Sequence, residues 1–144
     1  MIEGINHVNV VVNELEKSEA FFGIFGYKKE KEGLLQGEWI SNALGLENIS
    51  AKYIALGLPN NSAKIELIQF FTPESYINKY NSSANCVGYR HIALQTSNIK
   101  EEIKKLNSLG IQFTHAQYKE DNKEMLYLIG PDNIIIEIAQ YLGA

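Results

Sequence analysis

Near the start of the 144-residue chain stands Gly4-Ile5-Asn6-His7-Val8-Asn9-Val10, and 84 residues later Gly88-Tyr89-Arg90-His91-Ile92-Ala93-Leu94 repeats its alternation around a histidine. The same shift carries Leu15 onto Ile99, Phe22 onto Leu106, Phe25 onto Leu109 and Gly26 onto Gly110. A second match relates Lys64-Ile65-Glu66-Leu67-Ile68-Gln69 to Ile135-Ile136-Glu137-Ile138-Ala139-Gln140 at a shift of 71, so the His-to-Glu interval is 13 residues longer in the first copy. Internal repetition constrains a fold strongly, because each copy must form the same supersecondary unit. Most of the excess falls in residues 33–50, a glycine-containing segment with Trp39 and a short helical pattern, which is the natural candidate for a lid over a cavity.

Each copy reads as β-α-β-β-β. Asn13 in the first copy and Ser97 or Asn98 in the second can accept from the free N–H groups of a first helical turn, and Gly26 and Gly110 suit the left-handed position that ends a helix. Leu15, Phe22 and Phe25 recur at helical spacing, as do Ile99, Ile103, Leu106 and Leu109, giving each helix one apolar stripe to bury. Leu58-Pro59-Asn60-Asn61 and Gly130-Pro131-Asp132-Asn133 carry turn chemistry between apolar runs and predict hairpins whose first arms are residues 53–57 and 125–129. Short strands are expected at residues 27–31 and 111–118. The expected organisation is a first βαβββ module over residues 1–71, a polar linker over 72–87 and a second βαβββ module over 88–144.

Strand parity selects the candidate site. Alternate residues of a strand share a face. Val8, Val10 and Val12, with Ile92, Leu94 and Thr96, form faces able to cover a helix, which leaves His7 and His91 opposite. Ile65 and Leu67, with Ile136 and Ile138, likewise take the helix side and leave Glu66 and Glu137 with the histidines. Ile5, Val11, Ile68, Phe70, Tyr89, Ala93 and Ile135 share that second face, so it is expected to enclose something. A carboxylate in an apolar concavity costs several kcal/mol unless paired or bound to a cation. Two imidazoles and two carboxylates suit a divalent ion, and nitrogen and oxygen donors of this kind accept zinc, nickel, cobalt, manganese or iron. His115 has no counterpart in the first copy and reads as rim or surface.

Composition narrows the partners. A hydrophobic content of 45% with 21% charged residues supports a packed core, and a formal charge of -4 gives no basic footprint for nucleic acid. Cys86 is alone and has no internal partner for a bridge. No stretch approaches the ~20 apolar residues of a membrane span. The expectation is a cytoplasmic chain that binds a small molecule and neither nucleic acid nor membrane.

Taken together, Ile5-Asn6-His7-Val8, Lys64-Ile65-Glu66-Leu67-Ile68, Gly88-Tyr89-Arg90-His91-Ile92-Ala93 and the run from Gly130-Pro131-Asp132-Asn133 to Glu137-Ile138 resemble the vicinal oxygen chelate superfamily, which includes glyoxalase I, methylmalonyl-CoA epimerase, extradiol dioxygenases and the fosfomycin and bleomycin resistance proteins. The resemblance covers nearly the whole chain. It implies an α+β fold in which two βαβββ modules pair into a curved, partly closed eight-stranded sheet with helices outside, commonly as a homodimer. It also implies that His7, Glu66, His91 and Glu137 ligate one metal, a His, Glu, His, Glu pattern closest to glyoxalase I. Epimerases of this family usually have Gln where Glu66 stands, and bleomycin-binding relatives have generally lost the ligands.

The implied chemistry is an isomerase or lyase reaction in which a divalent ion stabilises an enediolate of a small α-hydroxycarbonyl or hemithioacetal, with glutathione or another thiol as cosubstrate. A loosely ligated glutamate serves as base, a role the resemblance gives first to Glu137 and then to Glu66. Arg90 is the only arginine, and parity places it on the helix side, so no cationic grip for glutathione is evident. Two other readings stand beside this one. One is an epimerase acting alpha to a thioester, and the other is a non-catalytic resistance protein holding a planar drug between aromatics such as Trp39, Tyr53 and Phe70.

Overall fold

The computed structural model describes residues 1–60, 62–77, 83–113, 117–120 and 122–143. The chain divides into two compact units, Met1–Ile77 and Asn78–Ala144. The first contains β1 (His7–Val11), α1 (Leu15–Gly23), β2 (Lys28–Gln36), α2 (Glu38–Leu44), β3 (Ser50–Gly57) and β4 (Lys64–Thr72). The second contains β5 (His91–Gln95), α3 (Ile99–Ser108), β6 (Tyr118–Glu120), β7 (Lys123–Ile129) and β8 (Ile135–Tyr141), with a short 3-10 turn at Pro131–Asn133. The fold is α+β and repeats the strand order: β1-β4-β3-β2 in one sheet, β5-β8-β7-β6 in the other. In place of a continuous eight-stranded sheet, the described strands form two four-stranded sheets.

In each unit the histidine-bearing strand lies parallel to the glutamate-bearing strand, β1 with β4 and β5 with β8, and the remaining pairs are antiparallel. A parallel pair needs a long connection, which here runs through the helix and the hairpin. α1 lies on β4 and α3 on β8. Beneath them the strand residues Ile65, Leu67, Ile136 and Ile138 are buried, as parity requires, and so are Phe22 of α1 and Leu106 of α3. Phe22 also meets Phe21 and Tyr27 edge-to-face. Leu109 departs from the expected stripe: it is 55% exposed, because it occupies the C-cap of α3, where the backbone has already left the helix.

Both helices end alike. The Gly26 N–H donates to Gly23 O and the Tyr27 N–H to Phe22 O; the Gly110 N–H donates to Asn107 O and the Ile111 N–H to Leu106 O. The glycines adopt φ of 90° and 70°, so this paired closure needs a residue that tolerates the left-handed region. Both helices also begin with a matching bond from the glutamate-bearing strand. Gln69 Oε1 accepts from the Leu15 N–H at 3.3 Å, and Gln140 Oε1 accepts from the Ile99 N–H at 2.8 Å. Asn98 caps α3 as expected, accepting from the Glu101 N–H at 3.3 Å. The residue at the N-cap of α1 is Glu14, whose side chain makes no capping bond.

The 13-residue excess is shared between a longer β2, which pairs with β3 out to Gln36↔Ser50, and the added helix α2. α2 packs on the face of the sheet that carries Glu66: Ile40 meets Ile49, Ala51 and Ile68, with Leu35, Tyr53 and Phe70 against them. Ile68 and Phe70 therefore belong to a local apolar cluster, and Trp39 stands 63% exposed beside it. In the second unit the segment 111–118 is described only in part: Phe113 bridges to Leu128 and Tyr118 opens β6. His115 lies outside the described residues. The Pro131-Asp132-Asn133 turn is as anticipated, with Asp132 and Asn133 in the left-handed region at φ of 55° and 61°, a conformation that short polar side chains tolerate.

Candidate metal centre

His7 and His91 are the first residues of β1 and β5. In the parallel ladders His7 is level with Lys64 and His91 with Ile135, which puts each glutamate two residues further along the neighbouring strand, diagonal to the histidine on the same face. His7 Nε2 lies 3.7 Å from Glu66 Oε1, and His91 Nε2 lies 3.4 Å from Glu137 Oε2. Each unit thus brings together one histidine and one glutamate. Among the described residues no group of three or more His, Cys, Asp and Glu side chains gathers to hold a metal.

The donor chemistry of each pair fits a divalent ion. His7 Nδ1 is 2.8 Å from Asn6 Oδ1, and an Nδ1–H donated there leaves the Nε2 lone pair directed toward Glu66. Two acceptors then face each other and call for a cation or proton between them. Metal bonds of about 2.0–2.2 Å put neighbouring ligand atoms roughly 3.0–3.4 Å apart. The His91–Glu137 pair already has that spacing, and the His7–Glu66 pair is slightly wider.

The surroundings of the two carboxylates differ. Glu66 has a side chain 26% exposed and accepts one hydrogen bond from Asn9 Nδ2, at 3.1 Å. The Glu137 side chain is 6% exposed. Its Oε2 accepts from the Tyr127 hydroxyl at 2.5 Å and its Oε1 from Lys123 Nζ at 2.9 Å. Burial pushes the Glu137 carboxyl up, but the bonds from Tyr127 and Lys123, with the charges of Lys123 and His91, outweigh it and hold the group below the usual carboxylate range. The same contact raises the Tyr127 phenol and the Lys123 ammonium. Tyr127 also meets the His91 ring edge-to-face at 5.5 Å.

Asn6, Asn9, Lys123 and Tyr127 escaped the sequence reading, although a signal existed for the last. The turn at Gly130-Pro131-Asp132-Asn133 sets the β7–β8 register, and counting back along it puts Tyr127 opposite Glu137. The aromatics considered as a drug platform are divided, since Tyr53 and Phe70 pack into the α2 cluster.

Comparison with known proteins gives a consistent picture. A family model described as the glyoxalase/bleomycin resistance protein/dioxygenase superfamily matches residues 6–128. No curated protein sequence matches. Among solved structures, a glyoxalase family protein from Bacillus cereus is 24% identical with a TM-score of 0.90, over 99% of this chain and 97% of that one. The trypanothione-dependent glyoxalase I of Leishmania major is 17% identical with a TM-score of 0.69, over 96% and 87%. The fosfomycin resistance protein FosX of Listeria monocytogenes, complexed with Mn(II) and a dihydroxypropylphosphonic acid, is 18% identical with a TM-score of 0.62, over 100% and 95%. At these identities the likeness concerns the fold.

Proposed function

Since the chain belongs to the glyoxalase/bleomycin resistance protein/dioxygenase superfamily, we propose that it is a metal-dependent isomerase or lyase of the glyoxalase I type, acting on a hemithioacetal or a similar small α-hydroxycarbonyl compound. One observation carries this reading: both units set an imidazole Nε2 against a glutamate oxygen, 3.7 Å and 3.4 Å apart, at equivalent places in equivalent sheets. His7, Glu66, His91 and Glu137 hold one divalent ion jointly in this reading. The Mn(II) of the FosX neighbour supports an ion of that class. When bound, the ion supplies a Lewis acid that stabilises charge developing on the two neighbouring oxygens of the substrate.

The chain's own glutamates divide the remaining work. A general base needs an oxygen lone pair free to reach the substrate proton. Glu66 has one neutral hydrogen-bond donor on it and is the more exposed, whereas both oxygens of Glu137 are held. The base role, given first to Glu137 by family resemblance, therefore moves to Glu66, with Glu137 as the anchored ligand. A homodimer and a thiol cosubstrate belong to the same proposal; the trypanothione dependence of the Leishmania neighbour supports the latter.

The test is formation of lactoylglutathione from methylglyoxal and glutathione after stripping the protein and reloading it with nickel, cobalt, zinc, manganese or iron. Turnover with at least one ion, abolished by chelation, is expected. No turnover with any of them overturns the assignment.

A further inference from the structure

Glu66 and Glu137 sit at matching places, but the strand beside each presents different side chains. β3 pairs with β4 as β7 pairs with β8: Glu66 is level with Ala55, and Glu137 is level with Tyr127. Four residues earlier, Ala51 is level with Phe70 where Lys123 is level with Tyr141. The first unit thus has two alanines where the second has a phenol and an ammonium.

We infer that Tyr127 and Lys123 are positioning residues that fix Glu137 as a single-oxygen metal ligand, making the second unit the half of the centre that retains the ion. This rests on the metal reading above. Lys123 occupies Oε1 at 2.9 Å and is steadied in turn by the Tyr141 ring, whose centroid is 5.3 Å from its Nζ. Oε2 is left facing His91 Nε2 at 3.4 Å. Tyr127 donates to that same Oε2 and rests its ring against His91, so one side chain orients both donors of the pair. A carboxylate held at both oxygens is not free to rotate into two-oxygen binding or to swing away. Glu66, level with Ala55, has no such restraint from β3, and its bond from Asn9 comes from β1 on its other flank.

Partners that orient ligands in this way typically account for about 10–100-fold in metal affinity. The experiment measures cobalt(II) binding to the full-length protein by competition with a chromophoric chelator, together with the visible absorption of the bound cobalt, in Tyr127→Phe, Lys123→Met, Lys123→Arg and Asn9→Ala. Tyr127→Phe is expected to lose about 10–100-fold in affinity with its metal-free circular dichroism unchanged. Asn9→Ala is expected to lose only a small part of that. Lys123→Met frees Oε1 and changes the cobalt spectrum, while Lys123→Arg keeps the parent spectrum.

Tyr127→Phe binding within about twofold of the parent, far short of the usual effect of such partners, overturns the inference. So does a parent-like spectrum in Lys123→Met, a readout that stands even if Tyr127→Phe fails to fold. A parent protein that binds no cobalt overturns the metal reading itself, whereas a parent that binds cobalt alongside unaffected variants overturns the positioning role alone.

Discussion

The two His–Glu pairs share a backbone but not a neighbourhood. In the first unit the glutamate is approached from the histidine strand, by Asn9, and remains partly open; in the second it is approached from the hairpin strand, by Tyr127 and Lys123, and is nearly closed off. Helix starts, helix ends and ladder register agree between the units. The difference teaches that a repeat can fix where a side chain stands while the adjoining strand decides how freely it moves. A carboxylate on a loose hold suits proton transfer, and one on a double hold suits ligation.

The largest expected effects come from exchanging the two roles. Glu66→Gln should lower turnover by about 10²–10⁴-fold while metal content is retained, the range for losing a general base. Glu137→Gln should lose the metal and the turnover together. Metal analysis beside steady-state kinetics separates the two, and the reverse pattern breaks the proposed division of labour.

Next in size are the cores that support the pairs. Phe22→Ala and Leu106→Ala each remove a buried side chain from an equivalent helix and should cost about 3–5 and about 2–5 kcal/mol by chemical denaturation. A negligible cost at either position would mean that the corresponding helix is not packed on its sheet as described. The glutamine caps come third. Gln140→Ala should cost about 1 kcal/mol, within the range for a lost helix cap, and Gln69→Ala less, since its bond is longer, 3.3 Å against 2.8 Å.

The smallest effect is on acid stability. The folded-state carboxyl of Glu137 titrates below the ordinary carboxylate range. Its contribution is therefore complete above about pH 4.3, the unfolded value, and is lost as pH falls through the lower folded value. In metal-free protein, Glu137→Gln should flatten this part of the stability profile relative to the parent. A profile identical to the parent's would mean that Tyr127 and Lys123 do not hold the carboxylate as described.

Much of this arrangement was legible in the residues. Alternation placed His7, Glu66, His91 and Glu137 opposite the helix-facing rows, because buried Ile65, Leu67, Ile136 and Ile138 fix strand parity. The extent of β2 was hidden for a physical reason. Lys28-Lys29-Glu30-Lys31-Glu32 forms an exposed edge strand, where charge replaces apolar alternation. The seven-residue α2 showed its short helical pattern in the residues, but what holds it, the contact of Ile40 with Ile49, Ala51 and Ile68, is tertiary and has no local signal. Tyr127 was within reach by counting back from the turn, whereas Lys123 stands level with Tyr141 and reaches Glu137 only along the diagonal, which no register count singles out.

The most direct measurement is the number of ions and imidazoles in the loaded protein, by metal analysis and X-ray absorption on the parent, His7→Ala and His91→Ala. One divalent ion per chain with two imidazole nitrogens is expected, and damage to that same site by either substitution. Two independent ions with one imidazole each, or an ion indifferent to both histidines, would contradict it.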